Sequence, residues 1–224
     1  MIIPTHRLVG RFLYQYVNTQ TEYAYLLNSS QFVYGNMKPD IVNKYRTISH
    51  YYCHNRNFVY MLIDDLCQTP YPRAILSDRL GILMHFLADY ACVFHSVTTL
   101  KSNEIQIHMK YETMLHLKVA QRLKQYETLT PYVFASRVAI QEYVATMISD
   151  IENSEQHLNI ERDIYNMTKL TLSVCLYILR RQHLLRQSHP VMKRFVPLKT
   201  DDVPKKRPRS SSWRQQNDKY SKKL

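Results

Sequence analysis

The sequence predicts an all-α protein, a single multi-helix domain around a buried central helix, followed by a disordered basic C-terminal tail. Three observations predict it. Only 3 glycines occur in 224 residues, against roughly 7% in an average chain, which leaves no Gly-rich phosphate loop, no dinucleotide fingerprint and little turn chemistry for a many-stranded β fold. Apolar residues recur at three- and four-residue intervals, the period of a helix buried on one face. The segment LSDRLGILMHFLADYACVFHSVTTL is apolar nearly all round, as expected of a helix enclosed by others.

Taken in order, a first helix is expected from about Thr5 to Leu27, with Leu8, Phe12, Tyr16, Tyr23 and Leu27 among its inward positions, and NSSQFVYGNMKPD follows as a loop. Asn55 suits the N-cap of a second helix through Phe58, Leu62 and Leu66 that ends before QTPYP. The third and central helix starts after Pro72. A fourth follows KSNE, from about Ile105 to Tyr126, a fifth follows Pro131, and a sixth runs from about Gln156 to Gln187.

The domain is placed at residues 1–195 and the tail at 196–224. From Lys193 onward 11 Lys and Arg face 3 Asp, a net +8 of the chain's +12. That stretch has three prolines, few aliphatics and no periodicity, so burial cannot offset its ordering entropy. Its run KKRPR can contact nucleic acid or an anionic membrane. Cys53, Cys67, Cys92 and Cys175 show no CxxC spacing and read as reduced thiols. The N-terminal MIIPTHRLVGRFLYQYV has no secretory pattern, and the most apolar run, LTLSVCLYIL, is too short for a membrane span. A cytoplasmic protein is expected.

Of the ten histidines, seven precede residue 117. On the central helix His85 and Asp89 lie at i and i+4, one turn apart on one face, which lets an imidazole and a carboxylate bind one metal ion. Asp89 sits in LMHFLADYACVFH, and no Lys or Arg lies between Ile82 and Val97. A carboxylate in such surroundings needs a cation, and a metal ion is the natural one. On a continuous helix His95 stands about 15 Å from His85, too far for one coordination shell, and about 9 Å from Asp89, so a site using all three needs at least two ions. His108 and Glu112 repeat the spacing on the fourth helix and, with His95, make a three-ligand set with an open position. Further candidates are Asp40 after Lys38-Pro39, His50 in SHYYCHN, and His6. His54 competes with His50, and His116 with His108. His157, His183 and His189 read as ordinary surface or tail residues. Tyr51, Tyr52, Tyr90 and Tyr111 neighbour candidate ligands and can line a pocket.

The order His, PD, SHYY, HxxxDx₅H, HxxxE, carried by GNMKPDI, SHYY, LGILMHFLADYACVFH and HMKYE between His6 and Glu112, resembles the zinc-dependent phospholipase C family, which is related to the S1/P1 nucleases. The resemblance implies a mostly helical domain with a cluster of three zinc ions that cleaves phosphodiester bonds. It implies that Asp40, His50, His85 and Asp89 bind one zinc, that His95, His108 and Glu112 bind a second, and that His6 binds a third with Asp89 as bridge. It also implies a metal-bound water as nucleophile, with Asp40 as a general base. Secreted members complete the third site with the amine and carbonyl of an N-terminal tryptophan. Here Met1 can serve through its amine, His6 and Asp89 can hold an ion by themselves, or that position stays empty. Headgroup-reading acids of the characterised phospholipases have no match, so the substrate stays open between a phospholipid, as leading reading, and a nucleic acid. A non-catalytic, metal-stabilised helical binding protein is the rival from another class.

Overall fold

A computed structural model describes residues 1–96, 105–154 and 158–188. Among them every regular element is helical, as the composition and periodicity predict. Helix α1, Ile3–Gln20, carries Pro4 in its first turn, where a missing N–H has no intrahelical partner to lose. It stops short of the expected Leu27 because Thr21 is extended, and the Thr21 hydroxyl accepts the Tyr23 N–H at 3.2 Å to start a separate 3₁₀ turn, Glu22–Leu26.

The expected loop NSSQFVYGNMKPD is instead mostly helix α2, Ser29–Ile41, with the Asn28 side chain accepting the Gln31 N–H at its start and Pro39 inside it. Gly35 and Pro39 disguise it in the sequence. What holds it is packing: α2 lies along α5, Arg73–Tyr90, more extensively than any other two elements lie together. A Cβ on Gly35 would stand 2.4 Å from the Asp78 carbonyl oxygen, and one on Gly81 would stand 2.4 Å from the Phe32 carbonyl oxygen. No glycine has a positive φ, so these two are required for close approach and not for their conformational freedom. Lys38 and Asp78 close the same seam at 2.6 Å.

After the short α3, Asn43–Arg46, helix α4 runs over Tyr52–Gln68. It begins before Asn55, which is no cap: the side chain is buried, and its oxygen accepts the Tyr90 hydroxyl. Every residue from Leu80 to Ser96 is buried, which confirms the central helix, with α1, α2, α4 and the C-terminal helix α9, Ile160–Ser188, around it. The expected single helix breaks, however, at Ala91 and Cys92, and Val93–Ser96 forms a separate turn, α6. The expected fourth helix is α7, Ile105–Arg122, continued by a 3₁₀ turn, Leu123–Tyr126. Helix α8, Arg137–Glu152, is capped by Ser136, and α9, Ile160–Ser188, is the last. A start of that helix at Gln156 lies outside the described residues, as do the 195/196 boundary, the tail, His157 and His189. No helix among the described residues is long and apolar enough to cross a membrane.

Candidate metal centre

The α2–α5 crossing and the break after Tyr90 set the geometry. At the crossing, His85 is fully buried and its Nδ1 lies 2.8 Å from the Asn36 carbonyl oxygen. A carbonyl can only accept, so Nδ1 donates to it and Nε2 is turned toward His50 Nδ1 at 3.1 Å and Asp89 Oδ2 at 3.3 Å, the arrangement that orients a metal-ligating imidazole. One turn on from Asn36, Asp40 brings Oδ1 to 3.7 Å from His85 Nε2 and 3.9 Å from His50 Nδ1. From α1, the His6 ring stacks on His85 with centroids 3.7 Å apart. His6 Nε2 stands 3.3 Å from Asp89 Oδ1.

The break is what brings His95 in. On a continuous helix it would be too far from Asp89 for one coordination shell, whereas the interruption at Ala91 and Cys92 puts His95 Nε2 3.9 Å from Asp89 Oδ1 and 3.0 Å from Glu112 Oε1. His108 Nε2 reaches the same Glu112 oxygen at 2.8 Å while its ring stacks on Phe94. Among the described residues, three groups place one donor atom each within 4.8 Å of one another: His6, His85 and Asp89; Asp40, His50 and His85; and His95, His108 and Glu112. The alternatives lie elsewhere. His54 Nδ1 meets the Ser49 hydroxyl, and His116 Nδ1 meets the Thr5 hydroxyl. His183 contacts the Tyr25 hydroxyl.

Three of the four neighbouring tyrosines are tied into the interior. Tyr90 bonds Asn55, Tyr52 meets the Tyr60 hydroxyl, and Tyr111 donates to Asp163 at 2.7 Å. Tyr51 alone of the four stays exposed, its ring 5.7 Å from that of His95.

The donor set fits metal ions on physical grounds. Both ring nitrogens of His6, Asp40 Oδ2 and His95 Nδ1 are buried without a hydrogen-bond partner, an arrangement that is costly unless something else occupies them. Nitrogens and carboxylate oxygens are borderline and hard donors, suited to zinc and its neighbours. Burial holds His6 neutral, lowering it to about 3, and burial pushes the Asp40 carboxyl above its ordinary range. The unexpected cation is the amine of Met1. It is buried, 2.5 Å from Asp89 Oδ1, 2.9 Å from His95 Nε2 and 3.2 Å from Glu112 Oε1. Burial works against its charge, yet Asp89 and Glu112 outweigh that and raise it to about 11. In return the amine and His95 hold Asp89 well below the carboxylate range against the effect of its burial.

A residue without any sequence signal locks the second group. Asp163 of α9 is buried, and its Oδ2 accepts the Val93 N–H at 3.0 Å and the Tyr111 hydroxyl at 2.7 Å. It therefore ties the first residue of the turn that carries His95 to the helix that carries His108 and Glu112. Asp163→Asn is expected to cost about 1.5–3 kcal/mol, the range for hydrogen bonds to a charged group, in urea unfolding of the metal-free protein. It is also expected to weaken zinc at His95, His108 and Glu112 by about 10–100-fold in a chelator-competition titration, while Tyr111→Phe, which keeps the Val93 bond, does less in both.

No curated protein and no solved structure matches this chain. A family model described as zinc dependent phospholipase C matches residues 5–172, a span that runs from the His6 turn of α1 past Asp163 and takes in every side chain of the three groups. Over most of its length, then, the chain belongs to the zinc-dependent phospholipase C family.

Proposed function

We propose that this protein is a zinc-dependent hydrolase of phosphate esters, phospholipase C-like, that holds two or three zinc ions in one cluster. The observation that carries the reading is the convergence of His6, Asp40, His50, His85, Asp89, His95, His108 and Glu112 into three donor groups, two of which share His85, within a chain of this family. Asp40, His50, His85 and Asp89 hold one ion and His95, His108 and Glu112 a second. His6 and Asp89, with the Met1 amine beside them, hold the third. Zinc, when bound, acidifies a water molecule to near neutral pH and neutralises the charge of the phosphoryl oxygens.

The chain's own residues do the rest. Asp40 Oδ2, buried and unpartnered, takes the proton of the attacking water as general base. Asn36 keeps Nε2 of His85 directed inward. Substrate approaches past the partly exposed His50 and His108, and a phospholipid suits that approach best. The four free thiols, three of them buried, are consistent with a reducing compartment such as the cytoplasm.

The test is hydrolysis of a phospholipid, a nucleic acid and a small phosphodiester by the zinc-loaded protein. Cleavage is expected, and His85→Ala and Glu112→Gln are expected to lower it about a hundredfold or more, with His54→Ala close to the parent. Cleavage of nucleic acid alone would make the protein S1/P1-like. No cleavage of any substrate by a protein that keeps its zinc would make it a metal-stabilised binding protein.

A further inference from the structure

We propose that the mouth of the candidate metal centre docks directly on an anionic lipid surface through exposed apolar residues on its rim; this rests on the hydrolase reading above and names where its substrate is met. Three of the eight ligands are open to solvent: His108 with 26% of its side chain exposed, His50 with 20% and Asp40 with 18%. The other five have 9% or less. Each of the three stands next in sequence to a large apolar residue that is itself exposed. Ile41 follows Asp40, Tyr51 follows His50, and Ile107 and Met109 flank His108, with exposures of 38–55%.

Charge points the same way. In the two segments that make this rim, residues 38–56 and 105–122, the only acidic residues are the ligands Asp40 and Glu112. Every other charged residue there is a lysine or arginine; Lys118 and Arg122 face Glu161 of α9, and Lys44, Arg46 and Lys110 are among the rest. Cations alone would suit any polyanion. Isoleucine and methionine around the opening would gain nothing against a nucleic acid backbone, whereas apolar side chains between cations are what an interfacial helix presents to an anionic bilayer. Docked this way, the rim buries its apolar residues among the lipids and leaves His50, His108 and Asp40 at the level of the headgroup phosphates.

The experiment is flotation of the zinc-loaded full chain with vesicles of phosphatidylcholine, with and without phosphatidylserine, for the parent and for two uncharged variants, Ile107→Gln/Met109→Gln and Ile41→Gln. Neither changes a charge, so the cations of residues 196–224 contribute equally throughout. The expected result is binding to phosphatidylserine vesicles that falls at least about tenfold in the double variant and measurably in Ile41→Gln. Equal binding by all three proteins would overturn the proposal, because another surface would then hold the vesicle. So would variants that lose affinity for a single-stranded oligonucleotide but not for vesicles. Hydrolysis of a soluble phosphodiester by the parent, run in parallel, separates the two readings. Cleavage without vesicle binding rejects the docking surface alone, and rim-dependent vesicle binding without cleavage rejects the hydrolase alone.

Discussion

Replacing Asp89 with asparagine is expected to remove zinc from two of the three proposed zinc positions and to destabilise the metal-free protein by about 3–5 kcal/mol, the cost of breaking a buried ion pair from one side. The residue is fully buried, and its two oxygens face different partners. Oδ1 meets the Met1 amine at 2.5 Å and His6 at 3.3 Å, while Oδ2 meets His50 at 2.7 Å and His85 at 3.3 Å. Asparagine keeps the shape and one acceptor oxygen but leaves a buried ammonium facing a neutral amide. The loss should be read in urea unfolding of the chelator-treated protein, and the metal loss in zinc bound per chain. A change of less than about 1 kcal/mol would show that the amine is not Asp89's counter-charge.

Gly81→Ala is expected to destabilise the fold by about 3 kcal/mol, the upper end for overpacking. At an ordinary helix position the same change stabilises by about 1 kcal/mol, so the sign itself is diagnostic. The added Cβ would lie 2.4 Å from the Phe32 carbonyl oxygen and 2.8 Å from both the Asn36 nitrogen and the Gly35 Cα. All three are backbone atoms, so no side chain can swing away and the helices must separate. Separation draws the Asn36 carbonyl from His85 Nδ1 and carries Asp40 away from His50 and His85. Zinc affinity should therefore fall with stability, by about 10–100-fold. Gly10→Ala is the milder comparison, since its Cβ would stand 3.1 Å from a side-chain atom of Asn36. Equal unfolding midpoints for Gly81→Ala and the parent would contradict the crossing.

How much of this was legible in the sequence differs from element to element. The helical class and the buried centre follow from local periodicity, and the continuous burial of Leu80 to Ser96 bears that out. The i,i+4 spacings of His85 with Asp89 and of His108 with Glu112 are local too, and each pair does converge, at 3.3 Å and 2.8 Å. Helix α2 was hidden because Gly35, Asn36 and Pro39 are turn formers by propensity. Its contact with α5 outweighs propensity, and that contact lies more than forty residues away. The break at Ala91 and Cys92 was hidden for the same kind of reason, since the carboxylate that takes up the freed Val93 N–H belongs to Asp163. Asn55 fits a cap by residue type and was claimed instead by Tyr90. The Met1 amine was readable only as a possible ligand of one site, whereas the fold places it against Asp89, His95 and Glu112 together.

The central claim is that these side chains form a metal cluster, and elemental analysis of the purified, untagged protein tests it most directly, with His85→Ala and His108→Ala alongside. Two or three zinc ions per chain are expected, with each variant losing a different ion, because His85 belongs to the groups built on Asp89 and Asp40 and His108 to the group built on Glu112. A folded chain that binds no stoichiometric metal even after reconstitution with zinc would contradict the cluster and the hydrolase built on it.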